Sequence, residues 1–323
     1  MSSPQVTPAV FGHRGACGYR PENTLESFAL AFEMGVPAVE CDIVPTKDGR
    51  LVIMHDPELS STTNVAYLPQ FAALRRELEL PWRTIDGFFI QDLTLDQVRQ
   101  LRAKERLPEE RPGSAKFDGQ FEIPTLAEFL HGDFATAGRT LILEVKFGWL
   151  FKSVGLDMGP LLAEVLISDD WRERGLKLII ESFDYTVLSD LKERLAGEIA
   201  LGGIEFVLLT EQWRIDQFLA TETRENFLSR CAADFDGISF DHEMLSDPVP
   251  EGSSAQFGLA NDWVEVSRGH GLKVFTWTAR AESAQFSIEE YFQHFADLNV
   301  DGVFADQPDL FLNFLRDSVA PLA

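Results

Sequence analysis

Strand-like apolar runs alternate with helical patterns along most of this chain, and that alternation limits its fold more than any other feature. Helical patterns lie at 157–168, 185–195, 261–268 and 287–298 of the 323 residues. The strand-like runs between and before them lie at 9–13, 38–43, 140–146, 176–182, 203–209, 236–240, 273–278 and 301–305. A helix between two strands returns the chain to the same end of a sheet, so the strands pair in parallel. Eight such units predict an α/β fold, a (β/α)8 TIM barrel, in one domain spanning residues 1–323.

The first helix has its own start and stop signals. Asn23 is a suitable N-cap, and Glu26 follows three residues later, as in a capping box. Gly35 ends the helix, and its apolar stripe consists of Leu25, Phe28, Ala29 and Phe32.

Two segments interrupt the alternation. The run 51–55 follows a tight Asp-Gly turn at 48–49, which makes it antiparallel to the strand before it, so it is not one of the eight. The segment 58–123 is charged and interrupted by prolines, with one helical pattern at 94–103. Because it lies between that hairpin and the next strand, we expect an insertion that covers the catalytic face. A floppy insertion without function is the alternative.

Polar side chains that can bind a metal or move a proton stand at the ends of the first strands. His13 and Arg14 follow the first strand, Glu40 and Asp42 end the second, and His55 follows the run 51–54. Active sites of α/β barrels form at the carboxyl ends of the strands. Glu40 and Asp42 are two apart, so both point to one face. We expect one site, with a solvated, purely structural set as the alternative.

The hairpin brings these groups together. A turn centred near residue 48 pairs positions that sum to about 96, which puts His55 beside Cys41 and its two acidic neighbours. Several carboxylates with room for water suit Ca²⁺ or Mg²⁺. The histidines are then better used as general acid and base than as ligands. Asp56 points away from His55 if the strand continues, so we expect it to be structural.

Further candidates follow later strands. Glu144 and Lys146 are two apart at the end of 140–146, so both face the barrel interior, although an ordinary salt bridge is the alternative. Arg14 and Lys146 are the basic groups that would offset the charge of an anionic ligand. Trp277 ends another strand, where it either stacks on substrate or simply packs.

Short motifs follow one another along about residues 9–315. They are His13-Arg14-Gly15, Pro21-Glu22-Asn23-Thr24, Glu40-x-Asp42, His55-Asp56, Ile123-Pro124-Thr125-Leu126, Glu144-Val145-Lys146, Ser182-Phe183-Asp184, Val274-Phe275-Thr276-Trp277-Thr278 and Val300-Asp301-Gly302-Val303 with Asp306 and Pro308. In this order they resemble the glycerophosphodiester phosphodiesterase family, in the phospholipase C-like phosphodiesterase superfamily. The segments 93–112 and 278–282 look most like its longer, periplasmic-type branch.

The resemblance implies roles for these residues. Glu40, Asp42 and Glu144 would bind one divalent cation, with Ca²⁺ favoured over Mg²⁺, and His13 and His55 would be acid and base. Which histidine does which stays open, as does attack by water or by a glycerol hydroxyl that gives a cyclic phosphate. Glu181 stands where family members often carry Gln, and Ala305 where they carry Thr.

The resemblance also implies a substrate. The expected reaction is hydrolysis of a small-molecule glycerophosphodiester to sn-glycerol 3-phosphate and an alcohol. Two alternatives are a phospholipase-type phosphodiesterase acting on lysolipids or phosphoinositides, and a non-catalytic barrel that binds phosphodiesters or Ca²⁺. An intact acid and base argue against the last, because a binding module needs neither.

Charge and composition limit the partners and the compartment. The chain has 28 Lys and Arg against 52 Asp and Glu, a formal net charge of −24, which argues against nucleic acid and stable association with anionic membranes. The first ten residues lack a basic segment followed by an apolar core. We therefore expect a cytoplasmic protein, or an exported one if a leader is missing. The oligomeric state stays open.

Overall fold

Eleven strands lie within the residues that the computed structural model describes, 6–249 and 255–319. They are β1 (Ala9–Gly12), β2 (Ala38–Pro45), β3 (Leu51–Ile53), β4 (Arg76–Leu80), β5 (Arg83–Gly87), β6 (Thr140–Val145), β7 (Lys177–Ser182), β8 (Ile204–Thr210), β9 (Gly237–Asp241), β10 (Lys273–Ala279) and β11 (Gly302–Ala305). Eight of them are parallel, in the order β1-β11-β10-β9-β8-β7-β6-β2, and the pairing of β1 with β2 closes the ring. The predicted (β/α)8 barrel is confirmed.

Helices surround this barrel. They are α1 (Leu25–Glu33), α2 (Leu95–Val98), α3 (Pro112–Ala115), α4 (Leu126–Leu130), α5 (Gly148–Ser153), α6 (Met158–Ser168), α7 (Tyr185–Glu198), α8 (Gln212–Leu219), α9 (Arg224–Asp234), α10 (Trp263–Gly269), α11 (Ile288–Asp297) and α12 (Pro308–Val319). The larger apolar core fills the space between strands and helices, where Cys41 of β2 packs away from the barrel interior. Its neighbours Glu40 and Asp42 therefore point inward, as the alternation of a strand requires.

A small apolar cluster closes the barrel interior below the polar site. Its buried members are Phe11, Ala38, Ile142, Ile179, Val207, Phe275 and Phe304. The Phe11 ring centroid lies 5.3 Å from that of Phe275 and 5.2 Å from that of Phe304. A Cβ on Gly302 would lie 2.3 Å from the Phe11 ring, so only glycine leaves room for it. These rings exclude water beneath the charged groups above them.

The hairpin of β2 and β3 has the predicted register. Ile43 lies opposite Ile53 and Val44 opposite Val52, in antiparallel pairing. The extended strand ends at Ile53, however, and the next residues turn. That early end changes the direction in which Asp56 points.

The start of α1 differs from the prediction. Thr24, not Asn23, is the N-cap, because its side chain accepts a hydrogen bond from Ser27 N–H at 3.2 Å. Asn23 lies before the helix in the left-handed region, at φ 59°, and its amide binds Asp42 instead. Asn23 therefore holds a carboxylate of the polar site, and Thr24 caps the helix.

The insertion is more ordered than its sequence indicates. It contains the β4–β5 hairpin, which the sequence prediction missed, and the helix predicted at 94–103 spans only Leu95–Val98. The chain then extends, because Arg102 N–H donates to Asn64 Oδ1 at 2.8 Å and Ala103 bridges Thr63. The helical prediction for the second half of that segment was wrong. No helix in residues 6–249 or 255–319 is long and apolar enough to cross a membrane.

Candidate active site

A cavity of about 160 Å³ lies at the carboxyl ends of the barrel strands. It is lined by polar residues that lie in or just after β1, β2, β3, β6 and β7, and by aromatic residues of β10 and β11 and of the segment after β7. Seven of the eight predicted site residues line it directly: His13, Arg14, Glu40, His55, Glu144, Lys146 and Trp277. The eighth, Asp42, lies fully buried beside them. The sequence prediction therefore selected residues that the fold brings into one place.

Three of these residues form a carboxylate cluster. Glu40, Asp42 and Glu144 are all buried, and each offers an oxygen that lies within 4.8 Å of the other two. Asp42 and Glu144 lie opposite each other on the paired strands β2 and β6. Glu40 Oε2 accepts a hydrogen bond from Arg14 N–H at 2.8 Å. Its other oxygen, Oε1, is buried and has no hydrogen-bond partner among the described residues.

The cluster has too few compensating charges. Burial, then Asp42 and Glu144, raise the pKa of Glu40 well above its usual range. Burial likewise raises the pKa of Glu144 to about 7. Burial also acts to raise the pKa of Asp42, but Lys146 and Arg14 hold it well below its usual range. An all-oxygen donor set with an unpartnered buried carboxylate oxygen fits a hard divalent cation such as Ca²⁺ or Mg²⁺.

Two basic residues of the cavity, Arg14 and Lys146, bind the cluster. Lys146 Nζ lies 2.5 Å from Glu144 Oε1 and 3.2 Å from Asp42 Oδ1. Arg14 Nε lies 3.1 Å from Asp42 Oδ2, which also accepts from the Asn23 amide at 2.7 Å. Arg14 and Lys146 thus bring positive charge to the cavity wall while holding Asp42 ionised.

His13 is paired with Asp306. Its Nδ1 lies 2.6 Å from Asp306 Oδ1, across 293 residues of sequence, and both side chains are buried. Burial acts to raise the pKa of Asp306, but His13, Arg280 and Arg111 hold it well below its usual range. An ionised carboxylate only accepts hydrogen bonds, so Nδ1 carries the hydrogen and Nε2 keeps its lone pair. The sequence prediction placed Asp306 in a motif but gave it no role.

His55 is paired with its neighbour Asp56. The distance from His55 Nδ1 to Asp56 Oδ1 is 2.8 Å. The expectation that Asp56 points away was wrong, because it assumed an extended strand through residue 56 and β3 ends at Ile53. Burial, followed by Arg14 and Lys146, lowers the pKa of His55 to about 4. The imidazole is therefore neutral at pH 7 and can accept a proton.

Two aromatic side chains also line the cavity. The rings of Trp277 and Phe183 meet edge to face, with their centroids 5.5 Å apart. Both line the cavity, and the Trp277 Nε1–H is buried with no hydrogen-bond partner among the described residues. Apolar rings and charged groups in one cavity suit a ligand that carries both a phosphate and a carbon skeleton.

The chain is similar in sequence and fold to glycerophosphodiester phosphodiesterases. A sequence model of the glycerophosphoryl diester phosphodiesterase family matches residues 13–310. A glycerophosphodiester phosphodiesterase from Caldanaerobacter subterraneus subsp. tengcongensis is 27% identical over 314 residues, which cover 95% of this chain and 97% of that protein.

Solved structures give the same picture of the fold. A putative glycerophosphoryl diester phosphodiesterase from Silicibacter pomeroyi matches with a TM-score of 0.70 and 24% identity, over 98% of this chain and 95% of that one. A phosphodiesterase from Oleispira antarctica, solved with its product sn-glycerol-3-phosphate, matches with a TM-score of 0.64 and 22% identity, over 96% and 97% of the two chains. At these identities the structural matches show a shared fold over nearly the whole of this chain.

Proposed function

The chain belongs to the glycerophosphoryl diester phosphodiesterase family and is therefore a phosphoric diester hydrolase, and we propose that it hydrolyses glycerophosphodiesters to sn-glycerol 3-phosphate and an alcohol with the aid of one divalent cation. The observation that carries the proposal is the convergence of two histidine–carboxylate pairs and three clustered carboxylates on one cavity. The product bound to the Oleispira antarctica phosphodiesterase supports this substrate class.

The two histidines are the proton-transfer groups of this proposal. His13 and His55 each bind a carboxylate through Nδ1, so the opposite ring nitrogen is free to hold or release a proton at the cavity. Cleavage of a phosphodiester needs one group that takes a proton from the attacking oxygen and one that gives a proton to the leaving oxygen. Two oriented imidazoles in one cavity supply both.

The charged residues stabilise the phosphate. A divalent cation, when bound by Glu40, Asp42 and Glu144, supplies charge stabilisation for the non-bridging phosphate oxygens. Arg14 and Lys146 add fixed positive charge at the same wall. Because the chain as a whole is strongly acidic, positive charge at this wall is needed for an anionic diester to bind. Trp277 and Phe183 contact the apolar edge of the glycerol.

Turnover measurements on a panel of glycerophosphodiesters test the proposal. The panel carries choline, ethanolamine, inositol and glycerol headgroups, and release of sn-glycerol 3-phosphate is followed with and without excess chelator. We expect release that the chelator stops. A His13→Ala variant should be inactive, whereas His131→Ala, with a half-exposed ring bound to Asp169, should match the unmodified protein.

The panel separates the parts of the proposal. Failure to release sn-glycerol 3-phosphate from any diester, in the presence of Ca²⁺ or Mg²⁺, contradicts the activity. Full turnover in excess chelator contradicts the cation but leaves the two-histidine chemistry standing.

A further inference from the structure

The carboxylates of both histidine–carboxylate pairs bind arginines of the insertion at 58–123. In each pair, one carboxylate oxygen contacts the histidine and the other contacts an arginine. Asp56 Oδ2 lies 2.7 Å from Arg106 Nη1, and Asp306 Oδ2 lies 2.5 Å from Arg111 Nη2. Arg106 and Arg111 are only five positions apart in the sequence, yet they bind the carboxylate partners of two different histidines.

The two arginines are themselves held firmly. Arg106 forms a two-pronged pair with Glu22, at 2.7 and 2.8 Å, and Glu22 in turn binds Arg14. Arg111 is buried, its Nε donates to Glu282 at 2.8 Å, and its Nη1 donates to the Cys17 carbonyl at 3.2 Å. Neither guanidinium is therefore a solvent-exposed charge that meets a carboxylate by chance.

The backbone between them forms one compact turn. Arg111 N–H donates to the Leu107 carbonyl at 2.8 Å, and Leu107 N–H donates to Glu105 Oε1 at 2.8 Å. Glu105 N–H donates to Asp118 Oδ1 at 2.7 Å, which ties the turn to the rest of the insertion. A short, internally bonded turn fixes the spacing of the two guanidiniums, so a shift of the turn moves both.

We propose that Arg106 and Arg111 are positioning residues that align both histidines, so that the insertion is a working part of the catalytic site in addition to any covering role. Each arginine fixes the plane of a carboxylate, and that carboxylate fixes the ring orientation and the Nδ1–H tautomer of its histidine. The inference rests on the proposed function, because it assigns the histidines their proton-transfer roles.

The two sides differ in how many charges support them. Asp306 is also bound by Arg280, whose Nε lies 2.8 Å from the same Oδ2 atom. Asp56 has Arg106 as its close basic partner and is about 25% exposed. Loss of Arg106 therefore leaves Asp56 free to rotate, whereas loss of Arg111 leaves Asp306 partly held. We expect the larger kinetic effect at Arg106.

Glutamine variants of both arginines test the proposal. Arg106→Gln should lower kcat roughly 10-fold or more, the usual scale for loss of a group that orients an active-site ligand, and Arg111→Gln should lower it less. KM should change little, because neither arginine lines the central cavity. Arg106→Lys and Arg111→Lys should recover part of the loss. Arg76→Gln is the matched control, since Arg76 is an insertion arginine that binds Asp92 at 2.6 Å, and it should leave kcat unchanged.

Double variants separate positioning from a general structural role. If Arg106 acts through Asp56, then Arg106→Gln combined with Asp56→Asn should lose little more than Asp56→Asn alone. The same holds for Arg111→Gln combined with Asp306→Asn. Losses that multiply fully, or single variants with the kcat of Arg76→Gln, would overturn the proposal.

An NMR readout keeps this test independent of turnover. The Nδ1–H proton of each histidine, held against an ionised carboxylate, should give a downfield resonance in the unmodified protein, and Arg106→Gln should broaden or shift that of His55. The charged groups facing each carboxylate are His55, Arg106 and Arg14 for Asp56, and His13, Arg111 and Arg280 for Asp306. Unchanged resonances in both glutamine variants would overturn the positioning role. An unmodified protein that hydrolyses no diester, but whose resonances respond as expected, would instead contradict the proposed function.

Discussion

Two sets of acidic residues in and beside the cavity have opposite electrostatics, although they belong to one site. Asp56 and Asp306 are paired: each carboxylate contacts a histidine and an arginine, and the pKa of each is lowered despite burial. Glu40 and Glu144 are clustered around Asp42, and burial, with repulsion from Asp42, raises both pKa values. Partnership, and not burial, decides which acids are ionised here.

The difference assigns different tasks to the two sets. A carboxylate whose oxygens are all occupied holds its neighbours in place and has no capacity left for a ligand. A buried carboxylate with an unpartnered oxygen is destabilising when ionised, and a proton or a bound cation relieves that cost. We therefore expect the paired acids to orient the histidines and the clustered acids to bind a metal.

Removal of divalent cations is expected to have the largest effect. If the clustered acids need a cation, excess chelator should abolish turnover completely, and Ca²⁺ or Mg²⁺ should restore it. Zn²⁺ should restore it poorly, because it prefers nitrogen and sulfur ligands in a tetrahedral arrangement. Turnover and calorimetric titration of each ion into metal-free protein measure this. Equal activity with and without chelator would erase the distinction between the two sets.

Loss of either histidine comes next. His13→Ala and His55→Ala should each lower kcat by at least roughly 10²-fold, the usual contribution of general acid–base catalysis. Metal affinity should stay nearly constant, because the histidines belong to the paired set. The double variant should lose less than the product of the two losses, since both groups act on one transition state. Full multiplicativity would indicate that they serve separate steps.

A single charge removed from the cluster should have a smaller effect. Glu144→Gln keeps the shape of the side chain but offers a weaker metal ligand, so the dissociation constant of Ca²⁺ should rise and kcat should fall together, by roughly 10-fold or more. Asp306→Asn is the matched change in the paired set, and it should lower kcat while sparing metal affinity. If the two variants lose metal affinity equally, the two sets are not independent.

The smallest expected effect is on stability and comes from Glu181. Burial, followed by Glu144, raises its pKa well above its usual range, and its Oε2 has no hydrogen-bond partner among the described residues. The folded protein therefore keeps a proton that the unfolded chain releases above about pH 4.3, so this residue costs stability as the pH rises. Metal-free Glu181→Gln should melt about 2–4 °C higher than the unmodified protein at pH 8, with the gain vanishing near pH 4.

A surface variant controls for charge removal in general. Glu205 lies on the neighbouring strand β8, where it binds the exposed Lys273 at 2.6 Å. Glu205→Gln removes the same charge at the surface and should not raise the melting temperature. A Glu181→Gln protein that melts below the unmodified one at pH 8 would mean that the buried acid is stabilised by a partner.

Most of the barrel could be predicted because each parallel strand is short and rich in apolar residues. The β4–β5 hairpin was missed because its strands alternate with charged residues and pack little against the core, as in Arg76–Leu80. The hairpin sequence is as rich in charged residues as a typical surface loop. Secondary structure that buries little apolar surface leaves little trace in the hydrophobic pattern.

The candidate site shows the same limit. The cluster and both histidines could be located because each follows an apolar strand. The role of Asp306 could not, because its partner His13 lies 293 residues away and no local pattern records that contact. Arg106 and Arg111 were missed for the same reason. Local periodicity predicts which residues lie near the carboxyl ends of the strands. Contacts between residues that are far apart in the sequence form only when the barrel closes.

The closing of the barrel has a consequence for how the protein is made. β1 pairs with β11, and His13 and Asp306 each come one residue after these strands. During synthesis His13 is made 293 residues before Asp306. The pair of His13 with Asp306 therefore cannot form until the chain has been made past residue 306, and we expect a truncated product that lacks 302–306 to be inactive and to leave the edges of β1 and β10 unpaired, open to aggregation. On the proposed function, hydrolysis then begins only after the ring has closed.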